Sequence, residues 1–292
     1  MIPAPEDQRI VRYSPPFALS ILFRLLDKRR PRGKLDVVYE PTKGTNGLRL
    51  RFRGPDALGI EEQTLLLALL EIAADCVAHD RRSCLLDATS TNLVGQALWS
   101  ELHSVLPLAG TQTVFFQTTW ADLAARCGLS HGGSVHRMVQ QQLERLCATS
   151  VWAYDAAGGP ALEQASLVAW HRGSKRGVSL ALNHRLASAI LGVPYATVSL
   201  AERNCLRTAP AKAIHAFLSA AVWQGHHTNI GVDTLAKRLW PDEAEGSTLR
   251  TRQSAVKSAL YALGRLPAWE AKFLTPALAQ VSRRVGCGQA LR

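Results

Sequence analysis

Four residues have the types and the spacing to grip a polyanion. Arg250, Ser254, Lys257 and Tyr261 recur every three or four positions in the stretch GVDTLAKRLWPDEAEGSTLRTRQSAVKSALYAL, at 231–263. That period places them on one face of a helix. Arginine reaches two acceptors on a guanine edge, lysine meets phosphate as a point charge, and the hydroxyls bond to either. Arg252 adds a cation beside the stripe, and Arg283 and Arg284 follow on a later strand. A second set of the same kind lies upstream: His136, Arg137, Gln140 and Gln141, with Glu144, point outward from a helix expected over 134–146. Arg172, Lys175 and Arg176 crowd the turn HRGSKRG at 171–177, where they could reach a sugar-phosphate backbone or a minor groove.

The elements that must hold these residues follow from local chemistry. Asp233 is a candidate cap for a short helix whose buried stripe is Leu235, Ala236 and Leu239, and Pro241 follows where it should stop. Ser247 or Thr248 offers the next cap, with Leu249, Val256, Leu260 and Leu263 facing the core. This is a helix-turn-helix whose second helix presents the polar stripe. Upstream, a short helix over 120–127 with Leu123 and Ala124 inside, the turn GLSHGG, and a helix capped by Ser134 with Val135, Val139, Leu143 and Leu146 inside repeat the plan. The quartets LAAR at 123–126 and LAKR at 235–238 occupy the same place in their short helices. Strand-like runs follow each: 150–154, 162–170 and 178–182 in the first case, 269–274 and 278–285 in the second. A helix-turn-helix followed by a β-ribbon is a winged helix.

In chain order, residues 1–34 are expected as a basic arm with a short helix, and within 24–34 Arg24, Lys28, Arg29, Arg30, Arg32 and Lys34 stand against one acid, Asp27. A β-hairpin over 35–40 and 48–53 comes next, then a long helix over 58–78. Residues 54–80 hold six acids and no lysine or arginine, so this helix should be packed or face a protein partner, because its acids would repel phosphate. A helix over 93–106 carries no assigned chemistry, and a helix over 183–191 ends at Gly192. The fold class expected is α+β, with two tandem winged-helix domains, 35–192 and 193–292, and an N-terminal β-hairpin.

The bulk numbers point the same way. The chain has 292 residues, a formal charge of +11 and 47% hydrophobic residues, enough apolar mass for two cores and a balance that favours a polyanionic partner. Residues 247–292 hold eight basic residues against one acid, so the excess gathers at the second polar helix and the strands after it. No stretch reaches the roughly 18 apolar residues of a membrane span, no signal peptide is visible, and a cytoplasmic setting without membrane contact is expected. The six cysteines form no C-x-x-C pair, which argues against zinc and, in a reducing compartment, against a disulfide framework.

Catalysis finds little support. His226 and His227 are adjacent and lack the spacer of a His-hydrophobic-His nicking site, Cys127, His131 and His136 match no zinc pattern, and there is no Walker lysine motif. A DNA-binding protein without enzymatic activity or cofactor is the expectation, and a dimeric winged-helix transcription regulator shares every feature read so far.

Several stretches carry a family resemblance: LFRLLDKRR with KLDVVYE, LRFRGPDALG, LNHRLASAILG and, most specifically, IGVDTLAKRLWPDEAEGSTLRTRQSAVKSAL. Through them the chain resembles the iteron-binding replication initiators of IncQ-type broad-host-range plasmids, over most of residues 20–265. The resemblance implies two winged-helix domains that bind directly repeated sites in an origin and melt the adjacent A·T-rich DNA. It also implies a separate plasmid-encoded helicase and primase, and a homodimer to which the acid-only helix would contribute. Relatives are denser in arginine where this chain has Arg250, Thr251, Arg252, Gln253 and Ser254, which implies a different site or affinity.

Overall fold

The computed structural model describes residues 9–285 except 28, 42–46, 104–109, 131, 156–158, 174–176 and 193. Two short elements, β1 (Ile10–Tyr13) and α1 (Pro15–Leu19), precede the hairpin β2 (Leu35–Tyr39) and β3 (Arg49–Gly54). The long helix α2 (Ile60–His79), a single turn α3 (Arg81–Cys84), β4 (Leu85–Leu86) and α4 (Leu93–Leu102) come next. Then follow β5 (Thr113–Thr119), α5 (Trp120–Arg126), α6 (Gly133–Cys147), β6 (Ser150–Tyr154), β7 (Glu163–Ser166), β8 (Val168–Arg172), β9 (Gly177–Leu182) and α7 (His184–Leu191). The remainder is β10 (Ala196–Ser199), α8 (Leu200–Cys205), α9 (Ala209–Ala221), β11 (His227–Gly231), α10 (Val232–Leu239), α11 (Gly246–Leu263), β12 (Trp269–Thr275) and β13 (Leu278–Arg283).

The central element is α2. Every residue from Leu65 to Ala73 is buried, on all sides of the helix, so α2 is an interior rod against which α5, α6, α7, β1 and β5 pack. Two of its acids are buried with it. Glu62 accepts hydrogen bonds from Arg145 Nε (2.8 Å) and the Gly59 amide (2.7 Å), and Arg32 Nη1 lies 3.0 Å away. Glu71 is held by Arg9 and by Arg126, whose Nη1 lies 3.1 Å away and also reaches Asp75 at 2.9 Å. Glu62 and Glu71 are thus packed against arginines of the same chain, which is the packed alternative of the two expected.

All named strand pairs are antiparallel and form the sheets β2-β3-β6-β7, β4-β5-β9-β8, β11-β13-β12 and β1-β10. The expected run over 162–170 is two strands. At Leu167 the chain leaves one sheet for the next: its amide donates to Thr149 O (2.8 Å) and its carbonyl accepts from the Asn183 amide (3.0 Å). The N-terminal hairpin is therefore half of a four-stranded sheet, and β8-β9 joins β5 instead. One order of elements appears twice: helix, strand, helix, helix, two strands, with the first strand beside the last. It is α9, β11, α10, α11, β12, β13 in the second half and α2, β5, α5, α6, β8, β9 in the first, where α3, β4 and α4 are inserted before β5, and β6 and β7 after α6.

Residues 9–25 of the expected arm are built into the junction between these halves. Val11, Tyr13, Phe17 and Leu22 are buried, and β1 pairs with β10 from Ile10↔Ser199 to Tyr13↔Ala196. The Leu25 amide donates to Leu239 O (2.9 Å). Arg238 donates to Ala18 O (2.9 Å) and Ser20 O (2.7 Å), with its guanidinium 3.8 Å from the Phe217 ring centroid. Arg203, 1% exposed, donates to Gln63 Oε1 (3.0 Å) and Thr64 Oγ1 (3.2 Å) of α2 and to Lys212 O. One apolar core runs through both halves.

Burial alone would raise the Glu62 carboxyl pKa, but the hydrogen bond and charge of Arg32, the Gly59 amide and Arg145 outweigh it and leave the value lowered. A group whose native pKa is depressed stabilises the fold above its unfolded pKa, about 4.3 for glutamate, and loses that contribution as pH falls through the native value. Glu62→Ala is expected to cost about 2–4 kcal/mol in urea unfolding at pH 7, since it leaves two arginines without their carboxylate. Glu62→Gln should flatten the decline of stability below pH 4.3, a change read from the same titration repeated down to about pH 3.

Candidate nucleic-acid interface

Helix α10 buries Val232, Leu235, Ala236 and Leu239 and is entered from Gly231, not capped by Asp233. Asp233 sits instead in the first turn, where its carboxylate accepts from Gln253 Nε2 (2.7 Å) and ties the start of α10 to α11. The turn between the helices ends at Glu245, and α11 begins at Gly246, whose φ of +56° lies in the left-handed region that glycine tolerates. Neither Ser247 nor Thr248 is the cap, because this backbone turn starts the helix ahead of them.

On α11, Val256, Ala259, Leu260 and Leu263 are buried, while Leu249 is half-buried. The opposite stripe is as the periodicity predicts: Arg250, Ser254 and Tyr261 are exposed and Lys257 is half-buried beside them. Exposed Ser247, Thr251 and Ser258, which spacing alone did not single out, extend that surface. Tyr261 is 60% exposed, and its ring centroid lies 5.1 Å from that of Phe273, so the helix face continues onto β12. Arg252 is placed differently from expectation. It donates to Asp242 O and lies 5.7 Å from the Trp240 ring centroid, which turns it toward the α10–α11 connection as a brace.

Arg283 requires a larger correction. It is 6% exposed and lies at the end of β13 far from the β12–β13 turn. Its guanidinium donates to Ser219 O (3.0 Å) and Thr197 O (2.8 Å) and covers Trp269, with 5.2 Å between guanidinium and ring centroid. A group so committed cannot extend to a nucleic acid. Arg284 is exposed, as the sequence reading requires. The hairpin turn itself carries Thr275, Pro276 and Ala277, all exposed and none charged.

In the first half, α6 buries Val139, Gln142, Leu143 and Leu146. Gly132, not Ser134, precedes the helix. Arg137 and Gln141 are exposed, whereas His136 and Gln140 are half-buried, and Gln140 Nε2 donates to Glu144 Oε1 (2.9 Å). Arg172 is exposed at the end of β8, where the Gly173 amide donates to Gly177 O (3.0 Å) to close the turn. Lys175 and Arg176 lie outside the described residues, as does His131. Among the described residues no cluster of three or more histidine, cysteine or carboxylate groups could hold a metal ion, and no helix is long and apolar enough to cross a membrane.

Two units of similar element order, each exposing a polar face on the second of two consecutive helices, make up a mixed α/β protein. The chain belongs to the replication protein C (RepC) family, whose profile it matches over residues 6–275. No curated protein matches its sequence. Its fold is similar to two crystal structures of domains 2 and 3 of RctB. One has a TM-score of 0.57 at 9% identity, covering 94% of this chain and 100% of that one. The other has a TM-score of 0.54 at 9% identity, covering 90% and 95%.

The contrast between neighbouring arginines gives a prediction. Arg283→Ala should lower stability by about 2–4 kcal/mol in thermal or urea unfolding, because two buried carbonyls lose their donor. Arg284→Ala should leave stability within about 0.5 kcal/mol of wild type. If Arg284 meets a phosphate, the salt slope of DNA binding should fall by about one in that variant.

Proposed function

We propose that the protein initiates plasmid replication by binding directly repeated origin sites (iterons) and promoting melting of adjacent A·T-rich DNA, as an initiator of IncQ type. The observation that carries this reading is the duplicated element order in a replication-family chain, each copy exposing a polar helix face with at least one arginine, beside a hairpin. Each copy is read as a winged helix, with α6 and α11 entering successive major grooves and the hairpins β8-β9 and β12-β13 as wings. The functional division falls at 192–193, with residues 1–34 as the connecting arm. Arg250, Ser254, Lys257 and Tyr261 from α11, and Arg137 and Gln141 from α6, with His136 and Gln140 at its margin, form the base-facing set. Arg172, Lys175, Arg176 and Arg284 meet backbone phosphates.

The protein acts by binding and distortion, without catalysis or cofactor, in the cytoplasm. A separate helicase and primase then load on the opened DNA. These partners, and a homodimeric resting form, are supported by the family resemblance alone. The internal position of α2 means that its acids do not add to the case for a dimer.

Footprinting on the DNA flanking the gene tests the reading. Protection of several equally spaced direct repeats with distortion beside them is the expected result, and protection of one palindrome would instead identify a dimeric transcription regulator. Arg250→Ala and Lys257→Ala are each expected to weaken specific binding by about 1–3 kcal/mol where the side chain meets a base edge. Unchanged binding in both removes α11 from the interface.

A further inference from the structure

The sheet β2-β3-β6-β7 has one face on the core and the other toward solvent. On β3, Leu50 and Phe52 are buried, and the alternating Arg49, Arg51 and Arg53 turn outward. On β6, Val151 and Ala153 are inside, so Trp152 and Tyr154 are outside. The register sets Arg49 opposite Tyr154 and Arg51 opposite Trp152, and Gln164 of β7 lies on the far side of Trp152. Residues directly opposed on antiparallel strands share a face, so two rings and three guanidinium groups form one mixed patch. The Arg53 guanidinium lies 5.7 Å from the Trp152 ring centroid and that of Arg49 lies 6.0 Å from Tyr154. These separations are at the outer limit of a cation–π contact, about 6 Å, so the rings are flanked and not sealed.

Two acids share the patch, both at its β2 margin. Asp36 accepts from Arg51 at 2.7 and 2.6 Å, and Glu40 lies 2.9 Å from Arg49. Glu40 is 66% exposed and its single contact with Arg49 contributes little, so it yields to a competing phosphate, whereas a phosphate at Arg51 must displace the two-point pair with Asp36. Lys34 is exposed immediately before β2, at the Arg53 end of the patch. Cations interleaved with aromatic rings on an open sheet match the needs of an unpaired strand, whose bases stack on rings irrespective of sequence while its phosphates follow the charges. A duplex keeps its bases stacked on one another and cannot use the rings.

We propose that this sheet face binds single-stranded DNA, with bases stacked on Trp152 and Tyr154 and phosphates on Arg49, Arg51 and Arg53. It is a second nucleic-acid surface, separate from α6 and α11, and it rests on the replication reading only in the choice of DNA over RNA.

Binding of the full chain to a fluorescein-labelled oligothymidylate of about 20 nucleotides, read by anisotropy, tests it. Trp152→Leu combined with Tyr154→Leu is expected to weaken that binding by about tenfold or more. Arg53→Ala should lower the slope of log affinity against log salt. Circular dichroism and duplex affinity should stay as in the wild type. Arg250→Ala combined with Lys257→Ala should do the reverse, weakening origin duplex binding and sparing the oligothymidylate, so failure of the origin-binding reading and failure of this one are separate results. The proposal is overturned if the wild type does not bind oligothymidylate, prefers oligouridylate, or retains its affinity in the Trp152/Tyr154 double variant. Loss of self-association in that variant with oligothymidylate binding intact would overturn it too, by making the face a contact between copies. In the wild type, an oligothymidylate carrying 5-iododeoxyuridine should crosslink to Trp152 or Tyr154 on irradiation. Adducts confined to other residues overturn the proposal whether or not the variants fold.

Discussion

A carboxylate is tolerated in a dry interior only when donors fill its lone pairs and a cation balances its charge. Helix α2 carries two, Glu62 and Glu71, and the rest of the first half is arranged around meeting them. Arg145 comes from α6, Arg126 from α5, Arg32 from the segment before β2 and Arg9 from the segment before β1. Both α5 and α6 are thereby tied to α2 by a charge as well as by apolar contact. Packing of Leu123, Val139 and Leu143 brings α5 and α6 to the core, but apolar contact alone tolerates small slides. A charged hydrogen bond at 2.8 Å does not, and this fixes how the outward side chains of α6 are presented.

The second half is joined by a different device. Arg238 and Arg283 spend their guanidinium donors largely on backbone carbonyls, Ala18 and Ser20 for the first and Ser219 and Thr197 for the second, while Arg203 divides its donors between Lys212 O and the Gln63 and Thr64 side chains. Burial pushes the Arg203 and Arg238 pKa values down to about 10, still well above neutrality, so both stay charged. Carbonyls belong to the main chain and cannot change rotamer. Together with the β1–β10 pairing, these bonds hold α11 in one orientation relative to α6. Two helices read successive grooves of one duplex only if their separation is held in this way.

Much of this was legible in the sequence, and the remainder was not for physical reasons. The stripes of α6 and α11 were visible because an amphipathic helix writes its period into the chain, and Val139, Leu143, Val256 and Leu260 fell where that period put them. The caps at Asp233, Ser134 and Ser247 were each misplaced by two positions, because Gly231, Gly132 and Glu245–Gly246 set the helix starts through backbone conformation, which leaves no polar side-chain signature. The break at Leu167 was hidden since both strands are short and its partners, Thr149 and Asn183, belong to other elements. The outward alternation RLRFR on β3 was present in the chain, but the aromatic residues that make it a patch arrive about a hundred positions later, through pairing that no local pattern reveals.

Arg283 shows the same limit and changes how the net charge should be understood. A basic residue near a predicted ribbon looks available to phosphate, and only the tertiary placement of Ser219 and Thr197 shows it to be interior. Arg203 and Arg238 likewise lack a carboxylate partner among the described residues, yet neither can contact a polyanion. The formal charge of +11 therefore includes guanidinium groups that contribute to the long-range field but release no counterions on contact. Such charges steer an approaching polyanion without appearing in the salt slope. Only exposed cations, such as Arg250, Arg284, Arg137 and Arg172, are placed to neutralise phosphates on contact with a polyanion. The two quantities separate in this fold, because what makes the chain basic is in part what holds its halves together.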